Sequence, residues 1–177
     1  TNSPVRTFVS YTIDGKPSLL AAYTCTPLVK FQLSELKPGN KVMGTTIAEL
    51  GNMNRPLDMI VYKKGSGDHI LMNNSSRGVM KMSTQGIEKF EAITARVNQT
   101  AGLPYETLTD LKGVQQLDRW DDANAMLLVK NDSGSMDIRA LALPESFSGS
   151  GCSTDGLKRN LMARNTCEAI KVPVGAK

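Results

Sequence analysis

Ile70-Leu71-Met72-Asn73-Asn74-Ser75-Ser76-Arg77-Gly78-Val79-Met80-Lys81-Met82 is the stretch that decides the fold, because the chain carries two further copies of it. Leu19-Leu20-Ala21-Ala22-Tyr23-Thr24-Cys25-Thr26-Pro27-Leu28-Val29-Lys30-Phe31 aligns with it without a gap. So does Met126-Leu127-Leu128-Val129-Lys130-Asn131-Asp132-Ser133-Gly134-Ser135-Met136-Asp137-Ile138. Each copy has an apolar run, a short polar break, and then an alternating stretch. The copies lie 51 and 56 residues apart, and such self-similarity marks a repeat architecture.

The runs Leu19–Tyr23, Ile70–Met72 and Met126–Val129 suit strands buried on both faces. After each break, apolar and polar residues alternate, strictly so at Met136, Ile138, Ala140 and Ala142, as in a half-buried strand. The breaks carry turn chemistry in Thr26-Pro27, Arg77-Gly78 and Asp132-Ser133-Gly134. A strand precedes each run, at Thr7–Ile13, Asp58–Tyr62 and Val114–Trp120, joined by the hairpin tips Asp14-Gly15-Lys16-Pro17, Gly65-Ser66-Gly67-Asp68 and Asp121-Asp122-Ala123-Asn124. A fourth, outer strand is expected at Lys41–Ile47, with Glu88–Val97 as its counterpart in the second unit. The expected fold is all-β: about three four-stranded antiparallel propeller-like blades, residues 4–52, 53–110 and 111–145, forming part of a β-propeller. Residues 146–177 read as a Gly/Ser-rich linker and a C-terminal tail with a short helix at Gly156–Arg164.

Asn54-Arg55-Pro56-Leu57-Asp58-Met59-Ile60-Val61-Tyr62, followed by His69–Met82, resembles a blade of the NHL- or YVTN-type propellers. In those families a Pro-containing loop leads into the innermost strand. The resemblance implies a ring of blades with ligands at the mouth of a central channel. Three blades do not close such a ring, since propellers have roughly four to eight. The missing blades are expected from a second polypeptide or from a symmetry mate.

At 177 residues the chain has the length of one domain, and 40% apolar with 21% charged residues is ordinary globular composition. No apolar stretch approaches the ~18 residues of a membrane span. The net charge of +4 comes from 21 basic and 17 acidic residues, scattered rather than clustered, and aromatics are 5%. A nucleic-acid surface clusters its bases and interleaves stacking rings, so a solvated surface is expected instead. The N-terminal Thr1-Asn2-Ser3-Pro4 fits a chain already trimmed.

Three cysteines are too few for a disulfide framework. A Cys152–Cys167 bridge would staple the tail by about 3 kcal/mol in the chain-entropy account, and it requires an oxidising compartment, hence a periplasmic or secreted expectation. Cys25 is then left either to bridge to a partner or to act as a buried small hydrophobe.

The single histidine, His69, nearly excludes a catalytic triad, a zinc site or a multi-His copper site built from this chain alone. It is expected at the surface or in packing. Without C-x-x-C-H no c-type haem is attached to this chain, and neither G-x-G-x-x-G nor a Walker sequence is present. The nine methionines read as core filling rather than as copper ligands.

The polar residues that enter the innermost strands are the channel-mouth candidates: Arg6, Asn54, Arg55, Asp58, Tyr105 and Glu106, with Arg77 in a break between strands. Converging on a channel, they would suit a divalent cation or an anionic substrate. The alternative is that Asp58 and Arg55 link adjacent blades by hydrogen bonds. Two function classes follow. One is a subunit or processed half of an extracytoplasmic propeller enzyme, redox or hydrolytic, with its site shared with the partner chain. The other is a non-catalytic binding or scaffold module.

Overall fold

The structure, a computed structural model, describes residues 3–144. They form twelve β-strands and two single-turn 3-10 helices, Leu33–Glu35 and Ile87–Lys89, with no α-helix among the described residues. The tail, with Cys152 and Cys167, lies outside them.

Strands β1 (Val5–Ile13), β2 (Lys16–Tyr23), β3 (Cys25–Gln32) and β4 (Thr45–Asn54) follow one another across the first sheet. β5 (Pro56–Lys64), β6 (Gly67–Asn74) and β7 (Gly78–Ser83) begin the second. Two short strands, β8 (Thr100–Gly102) and β9 (Glu106–Leu108), then extend earlier sheets: β8 pairs with β4 and β9 with β7. The third sheet is β10 (Val114–Arg119), β11 (Asn124–Lys130) and β12 (Met136–Ala142). All pairings are antiparallel.

The hairpin tips behave as their residues dictate. Asp14 and Gly15 both take positive φ, 49° and 70°, between the paired Ile13 and Lys16, as a type I′ turn requires. A repeat irregularity also recurs: each opening strand has a register shift at its second residue, between Val5 and Thr7, Pro56 and Asp58, and Val114 and Gln116. The first three strands of each sheet thus correspond, although the sheets have five, four and three strands in all.

They stack face to face with the second sheet in the middle. Its alternate residues serve two separate cores. Met59, Ile70, Met72, Met80 and Met82 pack with Leu20, Leu28, Ile47 and Leu50 of the first sheet. Ile60, Tyr62, Leu71 and Val79 pack with Leu117, Ala125, Leu127 and Leu141 of the third. β6 is therefore buried on both faces, as its apolar run predicts. Sheets approach each other along their opening strands, β1 against β5 and β5 against β10.

Three expectations need correction. The outer strand begins at Thr45, not Lys41: the β3–β4 pairing ends at Lys30 with Thr45, and Gly44, next in line, sits against side chains of β3. Gly44 lies so close there that a Cβ would sit 2.4 Å from Val29 Cγ1 and 2.5 Å from Phe31 Cε1. Glu88–Val97 is not a strand: its apolar Phe90, with Ile87 just before it, packs into the first core, and β9 takes the edge position. In the third copy the aligned residues sit on the wrong face. Leu127, paired with Leu117, stands where Met72 stands opposite Met59, whereas the ungapped alignment puts Leu128 there. A shift of one residue turns every side chain to the other face. Met126, Leu128, Ile138 and Ala140 consequently line the face away from the second sheet, and Leu141 faces inward.

Candidate functional site

The channel-mouth candidates gather at two places, both of them joints between sheets. The first is the crossover from β4 to β5, an awkward piece of chain in which Gly51 and Met53 take φ of 91° and 60°. Positive φ is costly for Met, so the surroundings must hold it. Side chains donate to its carbonyls one after another: Tyr105 Oη to Leu50 O at 3.3 Å, Arg77 Nη2 to Asn52 O at 2.7 Å and Ser76 Oγ to Met53 O at 2.8 Å. Arg6 Nε reaches Pro56 O at 3.5 Å. Arg77 lies over Gly51, where a Cβ would come within 2.7 Å of its Nη2.

Asn54 and Asn74 are fully buried and bonded to each other, Asn74 Nδ2 donating to Asn54 Oδ1. Asn74 Oδ1 in turn accepts the backbone N–H groups of Arg55, Ser76 and Arg77. One amide thus ties the crossover to the β6–β7 turn. Arg6, Asn54, Arg55, Arg77 and Tyr105 are brought together here, but as a clamp on backbone rather than as a ligand cage. Asn74 is the organiser that the sequence left unmarked; its place opening an Asn-Ser-Ser-Arg-Gly turn is the available signal, since Asx side chains cap such turns.

The second joint lies between β5 and β10. Asp58 Oδ1 accepts the N–H of Met59 at 2.9 Å, and Oδ2 accepts that of Leu117 at 3.2 Å, across to the third sheet. Asn73 Nδ2 donates to Val114 O at 2.9 Å beside it. Asp58 also borders a concavity of ≈ 520 Å³ with Gln116, Asp118, Met126, Leu128 and Ile138. Glu106 stands apart on β9, paired with the buried Lys81 at 3.5 Å.

His69 is buried, 2% exposed, with its ring 5.3 Å from that of Tyr62, so it belongs to packing. Burial, then the Lys81 charge, holds its pKa below the ordinary histidine value. Tyr11 joins the first two sheets through Asp68 Oδ2 at 3.0 Å and Thr84 Oγ1 at 3.1 Å; burial raises its pKa, opposed by the Thr84 hydrogen bond. Cys25, expected as either a bridge or a buried hydrophobe, is exposed with a free thiol. Among the described residues no group of three or more His, Cys, Asp or Glu is placed to hold a metal ion, and no helix is long and apolar enough to cross a membrane.

The fold and these joints define an all-β protein of three antiparallel sheets. No protein family, no curated protein and no solved structure matches the chain.

Proposed function

We propose that this chain contributes three blades to a β-propeller completed by further sheets, and that it works as a binding or scaffold module. The observation that carries the reading is the use made of its polar residues. Arg6, Arg77 and Tyr105 donate to backbone carbonyls and Asp58 accepts a backbone N–H at the joints between sheets, which is the chemistry of rigid blade linkage. Two further features support it: the sheets meet along their opening strands, and apolar residues stand exposed on the outer faces, Phe8 on the first sheet and Met126 on the third. The completing sheets come from another polypeptide or from a second copy. An extracytoplasmic setting rests on the proposed Cys152–Cys167 bridge.

The enzymatic reading, redox or hydrolytic with a channel site shared with a partner chain, has one observation in its favour. The ≈ 520 Å³ concavity beside the opening strands is bordered by the carboxylates of Asp58 and Asp118, a place where a divalent cation would find oxygen ligands. Native mass and elemental analysis separate the two. The module is expected as a colourless, metal-free particle of at least twice the 19.2 kDa chain mass. A compact monomer refutes the shared propeller, and one metal ion or chromophore per chain refutes the scaffold in favour of the enzyme.

A further inference from the structure

We infer that a second copy of this chain covers both open faces, the third sheet of each protomer packing on the first sheet of the other to close a ring of six sheets; the inference rests on the propeller reading above.

Equivalent positions carry it. Phe8, Met59 and Leu117 occupy one place in the three sheets, opposite Ala21, Met72 and Leu127 respectively and just past the recurring register shift. On the second and third sheets this residue packs on the sheet before it and is 4% and 2% exposed; on the first, Phe8 is 63% exposed. Leu20, Leu71 and Met126 likewise occupy one place, opposite Val9, Ile60 and Asp118. This residue faces the sheet that follows, and Leu20 and Leu71 are fully buried while Met126 is 38% exposed.

Within the chain the two places meet. Leu20 shares a core with Met59, and Leu71 shares one with Leu117. The third sheet therefore ends in the kind of face that the first sheet's open side is built to meet. Met126, Leu128 and Ile138 would cover Phe8 and Leu19 as Leu20 and Leu28 cover Met59 and Met72, beside Phe31, against which Gly44 of the same chain already lies. Polar groups correspond too. Gln116 stands at the place of Asp58, and Phe8 at that of Leu117, so the Gln116 side-chain carbonyl is positioned to accept the Phe8 N–H as Asp58 accepts that of Leu117.

A second copy is the occupant that brings both complementary faces at once. Two such head-to-tail contacts, related by a two-fold axis, close on themselves. Twice three sheets falls within the roughly four to eight blades of known propellers.

The test is sedimentation equilibrium of the full chain with Phe8→Glu and Met126→Glu. The wild type is expected at twice 19.2 kDa. Each variant is expected to keep its strand signal in circular dichroism, because both side chains are exposed within the chain, and to weaken self-association by at least about tenfold. A dimer that survives Phe8→Glu or Met126→Glu overturns the inference. So does a monomeric wild type. If hydroxyl radicals then oxidise Phe8 and Met126 freely, only the second copy is refuted and another polypeptide remains the completing partner. If both residues are protected in the monomer, the chain covers its own faces and the propeller reading falls as well.

Discussion

Leu127 and Leu128 are adjacent, identical in chemistry and on opposite faces of β11, which makes them a direct test of the register of the third sheet. Leu127 is 1% exposed in the core shared with the second sheet. Leu127→Ala removes buried methyl groups and leaves a cavity between two packed sheets, at a cost of roughly 2.7–5 kcal/mol. Leu128 is partly exposed beside Gln116 and Ile138 on the open face, where water fills the space an alanine vacates. About half the transfer free energy of the removed groups is then at stake, about 1 kcal/mol. Equilibrium unfolding in urea should resolve the pair, provided the m value stays constant. Two protein concentrations should be used, because loss of Leu128 also touches the proposed contact between copies and that part alone depends on concentration. Equal costs, or a larger cost for Leu128, would place the strand one residue out of register and refute the layered packing described above.

Other perturbations follow from the joints. Asp58→Ala strands the Leu117 N–H between sheets and should cost about 1–3 kcal/mol in urea unfolding, whereas Asp58→Asn keeps an acceptor and should cost clearly less; equal losses would remove Asp58 from the linkage. Gly102→Ala should detach β8, since its φ is 75° and a Cβ would stand 2.1 Å from the Ile47 carbonyl oxygen; a loss of at least about 2 kcal/mol is expected, and unchanged stability would refute that close approach. His69 is held neutral in the fold by its lowered pKa, so the unfolded chain binds the proton first as pH falls. Stability should be level above about 6.5, decline as pH drops through the unfolded value, and lose that component of the slope in His69→Phe. Alkylation without reduction should mark Cys25 alone if Cys152 and Cys167 are bridged; three marked thiols would remove the oxidising-compartment proposal.

The strands were legible because their signals are local. Apolar runs at Leu19, Ile70 and Met126, the Asp14-Gly15 tip and the Arg77-Gly78 break are each short-range statements about backbone shape. The site was less legible. Arg6 was marked at the entry to the first opening strand, Arg77 in a break between strands and Tyr105 ahead of the third unit; Tyr105 instead precedes β9, the edge strand of the second sheet. That they would clamp the carbonyls of one crossover could not be read, because donor and acceptor lie far apart in sequence.

From the sequence alone came the class, all-β, and the division into strand-turn-strand units, for these depend on periodicity and turn chemistry. Tertiary structure decided which face of β11 and β12 is buried, that Thr100–Gly102 and Glu106–Leu108 return to complete earlier sheets, and that the second sheet lies between the other two. The physical reason is the period of two. In a strand apolar on both sides, such as Met126–Val129, alternation assigns residues to opposite faces but does not say which face meets a neighbour. Only the packing of one sheet on another settles that.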